Sequence, residues 1–213
     1  MTTVDDFATA LAQARRASRF TAAYTHRMFG YVRAFEDGIT ARLHAVTPDL
    51  QLEFEHWETH RHGPVPEHGT RPHRDRWVWD FMPMLATTFR WRTHKKPEPG
   101  AVRVALRVEL DSGWDASQGE PNPLEFRDAA ACASPVAAWV YRVEASGPAS
   151  TWDDPSKTAP PAEFVEDGSI RVWEAAPLRF VRRLVTADLA QLPDRASLDR
   201  LLVEPIADVF RAG

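Results

Sequence analysis

One cysteine, Cys132, is all the thiol chemistry this 213-residue chain offers, so no disulfide framework holds it and a reducing, cytoplasmic compartment is expected. That thiol lies in the small apolar run 129–133 without the basic neighbours that activate a nucleophile, and it is read as structural. No window approaches the roughly 18 continuous apolar residues of a membrane span, and the opening residues 1–6 lack a basic region followed by an apolar run. A soluble protein without a membrane partner is therefore expected. The 10 glycines are scattered and form neither G-x-G-x-x-G nor a P-loop, which removes the usual phosphate cradles. Ser112, Ser134 and Ser146 sit outside any nucleophile-elbow context, which removes the commonest acyl-transfer signature.

What the chain does have is a block of aromatics and arginines between Arg76 and Asp111. Trp77, Trp79 and Phe81 alternate with Val78 and Asp80. Phe89 and Trp91 alternate with Arg90 and Arg92. After a turn at 95–100, Val102, Val104, Leu106 and Val108 alternate with Arg103, Ala105, Arg107 and Glu109. A period of two puts one face of each strand into a core and lines the other with charge.

Around this block the chain reads as helices, then strands, then a helix. Residues 3–20 form an amphipathic helix with Thr3 as N-cap and Leu11 and Ala14 on its apolar face. A second helical pattern runs from Ala22 to His44, with Met28, Val32, Phe35, Ile39 and Leu43 at spacings of three and four. The two are joined by Ser18 to Thr21 and are read as a helix pair or one bent helix, with Gly30 and Gly38 as points of weakness or close packing. Strands are expected at 50–55, 136–143, 170–173 and 178–185, and a helix at 197–211 that Pro205 bends. Residues 145–169, rich in proline, serine and acid, form a long loop with Trp152 and Phe164 among its few large apolar groups, and are expected to be mobile. The fold class is α+β: an N-terminal helix pair (1–46), a largely antiparallel sheet of about five to six strands (50–144 and 170–185) and a C-terminal helix, in a single domain of residues 1–213.

The net charge of -4 hides an asymmetry, because residues 56–107 carry a surplus of five positive charges and residues 108–169 a surplus of nine negative ones. Such segments make a polar surface for a charged partner or neutralise each other where a basic strand packs beside an acidic one, and the second reading is put ahead.

Three constellations are candidates for chemistry. On a strand His56, Glu58, His60 and His62 share parity, and imidazoles two residues apart with a carboxylate can hold a divalent metal. His60 and His62 followed by Glu67 resemble the first motif of cupin barrels, but the flanking glycines and the second histidine motif are missing and Pro64 and Pro66 interrupt the strand. A zincin is excluded, because Trp57 stands where the glutamate of H-E-x-x-H belongs. Asp80, Glu109 and Asp111 are the carboxylates of an alternative Mg²⁺-dependent nuclease, although the lysine expected two residues after the second acid is replaced by Asp111. Arg76, Trp79, Arg90, Trp91 and Arg92 combine phosphate neutralisation with base stacking, the ingredients of a single-stranded nucleic-acid platform.

None of these is complete. The sequence is read as a bacterial-type binding or accessory protein, an adaptor or sensor without a cofactor, that meets a protein partner or a second copy of itself. A metal-dependent hydrolase or nuclease is the alternative, and nucleic-acid binding comes after it.

Overall fold

In the computed structural model the described residues are 4–59, 63–64, 86–109, 129–147, 152, 168–175 and 177–211. The first element is one continuous helix, α1 (Val4–Val46), of 43 residues and about 64 Å at 1.5 Å per residue. The expected division near Ser18 to Thr21 does not occur. The Thr21 hydroxyl at that point is absorbed by the helix itself, donating to the Ala17 carbonyl at 3.0 Å, as the Thr25 hydroxyl one turn on donates to the Thr21 carbonyl at 2.9 Å.

The helix has two halves with different surroundings. From Ala22 onward its apolar stripe is buried, with Val32, Phe35 and Ile39 fully covered. Residues 8–20 are exposed apart from a half-buried Ala12, and they project as an arm that carries Leu11 at 41% and Phe20 at 76% exposure.

The strands are β1 (Glu53–Thr59), β2 (Gly63–Pro64), β3 (Ala86–Arg92), β4 (Val102–Glu109), β5 (Pro135–Ala145), β6 (Arg171–Ala175) and β7 (Leu178–Asp188). They form one sheet in the order β2-β1-β3-β4-β5-β7-β6, and every pairing is antiparallel. The turn from β3 to β4 closes at Gly100, whose φ of 87° is the left-handed conformation that glycine takes without a Cβ penalty.

After β7 a 3-10 turn (Leu189–Gln191), capped by Asp188, leads to α2 (Arg195–Leu198), capped by Asp194. A π-helical turn (Asp199–Val203) and α3 (Glu204–Arg211) complete the chain. Pro205 is tolerated here because the preceding turn is π-helical. The Glu204 N–H reaches back five residues to the Asp199 carbonyl, and this wider ladder relieves the clash a proline ring makes with the carbonyl four residues earlier.

One face of the sheet packs against α1, α2, the π turn and α3. Phe89, Trp91, Val102, Val104, Leu106, Val136, Val140 and Val181 meet Met28, Phe29, Val32, Phe35 and Ile39 from α1 and Leu198, Leu202, Ile206 and Val209 from the C-terminal helices. Gly38 lets them approach: a Cβ there would lie 3.1 Å from Asp199 Oδ1 and from both Val203 methyls. The opposite, distal face carries a second cluster of Ala105, Trp139, Tyr141, Val143, Leu178, Phe180 and Leu184, with Trp152 packed into it. Residues 148–151 and 153–167, the greater part of the expected mobile loop, lie outside the described residues. Trp152 itself is 4% exposed, and its indole N–H donates to the His94 carbonyl at 2.8 Å.

An arginine-lined sheet face as candidate functional site

Strand periodicity places Arg90 and Arg92 of β3, Arg103 of β4, Tyr141 of β5 and Arg182 of β7 on the distal face. Register then sets Arg92, Arg103, Tyr141 and Arg182 side by side in one cross-strand row, with Arg171 of β6 at its end. The neighbouring row runs His56, Arg90, Ala105, Trp139 and Leu184. Like charges directly opposite one another repel. Here the row separates Arg103 from Arg182 with Tyr141, and it gives Arg92 and Arg103 a shared counter-ion.

That counter-ion is Glu55, and a β-bulge supplies it. The register of β1 against β3 shifts between Phe54 and His56. Phe54 and Trp57 pack against the helix-side core, so the two residues between them, Glu55 and His56, both turn to the distal face. Glu55 accepts from Arg92 Nη1 at 3.0 Å and from Arg103 Nε at 2.8 Å. Glu58, again on this face, accepts from Arg90 through Nε at 3.0 Å and through Nη2.

Each inner guanidinium also lies over an indole. Arg90 stands 5.5 Å from the Trp139 centroid, Arg103 5.8 Å from Trp152 and Arg182 4.4 Å from Trp173. The Arg103 Nη1 donates to the Trp152 carbonyl at 2.8 Å. Arg90, Arg103 and Arg182 are 8%, 3% and 9% exposed, a depth at which charge is kept only with such partners.

Protonation follows from this setting. Burial pulls the Arg103 pKa down while Glu55 holds it up, and guanidinium stays charged throughout the accessible range. Burial pushes the Tyr141 phenol up, and Arg90, Arg182 and Arg103 pull it part of the way back, so Tyr141 is a neutral donor at neutral pH. Burial lowers the His56 pKa against the opposing pull of Glu55, whose carboxylate lies 3.9 Å from the ring, as does that of Glu58.

The sequence-derived candidates fare differently. His56 and Glu58 do share a face, but Glu58 is engaged by Arg90, and His60 and His62 lie outside the described residues. Among the described residues no group of three or more His, Cys, Asp or Glu is placed to hold a metal ion. Asp80 and Asp111 also lie outside the described residues; Glu109 accepts from Arg107 at 3.0 Å at the end of β4. Of the nucleic-acid set, Arg76 and Trp79 are outside the described residues and Arg90 and Arg92 are on the distal face. Trp91 corrects the expectation of a stacking platform. The same period of two that turns the arginines outward puts it in the helix-side core at 0% exposure, where its indole donates to Glu36 at 2.9 Å.

Glu55, Tyr141 and Arg182 were not among the sequence-derived candidates. For Arg182 the signal is a strand apolar at both parities that still carries a charge: in β7 both Phe180-Arg182-Leu184 and Val181-Arg183-Val185 are rich in large apolar groups, as in a strand covered on both faces. Cys132 is half-buried beside a 3-10 turn (Ala129–Ala131).

Fold and face together define an α+β protein with an antiparallel sheet, helices on one side and a buried layer of arginines paired with carboxylates and indoles on the other. By sequence it belongs to the PM0109 family, whose model matches residues 4–207. No curated protein and no solved structure matches the chain. No helix among the described residues is long and apolar enough to cross a membrane.

Proposed function

We propose that this chain is a non-catalytic binding protein, an adaptor or sensor of the cytoplasm, whose ligand is a multivalent oxyanion held on the distal face of the sheet. The observation that carries the reading is the convergence of Arg90, Arg103 and Arg182 around Tyr141, each guanidinium laid over an indole. Stacking holds each guanidinium in one plane suited to the bidentate geometry of a phosphoryl or carboxylate group, and since Arg90 and Arg103 already meet Glu58 and Glu55, the ligand competes with those carboxylates for the same N–H groups. Tyr141 adds a neutral hydroxyl donor in the same row. The lone cysteine accords with a reducing compartment.

The test is thermal denaturation and titration calorimetry with inorganic tripolyphosphate and with citrate, at constant ionic strength. Saturating tripolyphosphate or citrate is expected to raise the melting temperature, and the stronger of the two identifies the ligand class. Ligand at 100 times its Kd stabilises by about 2.7 kcal/mol. Arg182→Met, which keeps apolar contact with Trp173 and removes the charge, should weaken binding at least tenfold. Tyr141→Phe should weaken it severalfold without lowering the melting temperature of the free protein. Absence of any shift at millimolar oxyanion, or equal binding by both variants, would refute the proposal.

A further inference from the structure

The arm of α1 and the wall beside it make a self-complementary surface. A cavity of about 260 Å³ opens between α1 and the turn after β7, lined by Tyr24, Arg27, Met28 and Tyr31 on one side and Leu189 and Pro193 on the other. Its frame is fixed: Arg27 Nε donates to the Tyr31 hydroxyl at 3.0 Å, and that hydroxyl donates to the Leu192 carbonyl at 2.6 Å. One helical turn before Tyr24, Phe20 stands 76% exposed. Residues 20, 24, 27 and 31 follow spacings of four, three and four, so the exposed ring and the cavity lie along a single stripe of the helix.

A knob and a hole on one stripe, one turn apart, meet the condition for an isologous contact, in which each copy supplies both. In two antiparallel α1 helices with the two-fold axis near residue 24, Phe20 of each chain faces position 28 of the other, at the mouth of the cavity. Charge fits the same arrangement. The arm carries Arg15, Arg16 and Arg19 with no acid from residue 7 to residue 35, whereas Asp188 and Asp194 flank the turn that walls the cavity; the register also sets Arg15 opposite Arg33 of the second copy, so the turn and not the facing helix supplies the countercharge. We propose that the protein forms a two-fold dimer through α1, with Phe20 of each copy seated between Tyr24 and Tyr31 of the other and the arginines of each arm set against the partner turn.

Sedimentation equilibrium of the full chain tests it, at concentrations between about 1 and 100 µM, where transient interfaces of ordinary size associate. Wild type is expected at twice the chain mass. Phe20→Glu, at a side chain largely in water in the single chain, is expected to be monomeric with an unchanged melting temperature. Arg16→Glu should weaken association at least tenfold. A wild type that is monomeric throughout, or a dimer that survives Phe20→Glu, would overturn the proposal. A monomer whose arm instead binds vesicles of anionic phospholipid would also overturn it and give the arm to a membrane surface.

Discussion

Two glycines on α1 make an internally controlled test of how the C-terminal helices are seated. Gly30 is exposed, and a Cβ built on it meets nothing within 4 Å. Glycine costs about 1 kcal/mol relative to alanine in a helix interior, so Gly30→Ala should stabilise the protein by about that much, or about 2–4 °C for a chain of this size. Gly38 lies eight residues further along the same helix and has the same propensity to gain. Its Cβ, however, would stand 3.1 Å from Asp199 Oδ1, Val203 Cγ1 and Val203 Cγ2. Val203 is fully buried and ends the π turn that Pro205 requires, so it has little room to retreat. Overpacking of this kind costs about 1–3 kcal/mol, which leaves Gly38→Ala between about neutral and 2 kcal/mol less stable than wild type. Urea denaturation with unchanged m-values is the assay, because an altered slope would report a change in compactness. The two effects should add in the double variant within about 0.5 kcal/mol. Equal stabilisation by both substitutions would refute the reasoning, since it would mean that the π turn does not rest on α1 at Gly38.

Trp91→Phe removes the indole N–H that Glu36 accepts at 2.9 Å in a buried setting, and an expected loss of about 1–3 kcal/mol is measurable by the same denaturation. His56 has its pKa lowered by burial, so the stability it contributes is fully present above its ordinary value of 6.5 and is lost as the pH falls through its lowered folded value. His56→Gln should therefore flatten the acid side of the melting temperature against pH, and an unchanged profile would count against a buried neutral imidazole. Burial pushes Tyr24 up to about 12 and raises Tyr141 as well. Tyrosinate absorbance of the native protein should lag that of the urea-unfolded chain above pH 10, and native stability should fall across the same interval as the unfolded phenols ionise first.

Much of the architecture is legible in single-residue spacing. Met28, Val32, Phe35, Ile39 and Leu43 announce the buried stripe of α1, and the alternation through β3 and β4 separates Trp91 from Arg90 and Arg92 before any pairing is known. The continuity of α1 was not legible, because Ser18 and Thr21 carry the same side chains whether a hydroxyl caps a new helix or bonds back to the previous turn. The distal site was legible only in halves. Arg90, Arg92, His56 and Glu58 lie in strands whose polar parity shows. Tyr141 and Arg182 sit in strands apolar at both parities, and only the cross-strand register brings them beside Arg103. The bulge escapes alternation altogether, since a period of two assigns Glu55 to the wrong face from one side of it and His56 from the other.

That bulge makes Glu55 a residue the strand register does not require. With it deleted, Phe54, His56, Trp57 and Glu58 would alternate as a regular strand, and the partners of His56, Trp57 and Glu58 in β3 could stay as they are. The carboxylate shared by Arg92 and Arg103 is thus an addition to the strand rather than one of its letters, and its gain or loss by a single codon leaves the reading frame of the sheet untouched. In most strands an insertion of one residue turns every later side chain to the other face. Here the shift is confined to one position, so the register survives the loss of Glu55 and the cost falls on Arg103, which at 3% exposure would be left without its buried counter-ion, a loss of about 3–5 kcal/mol.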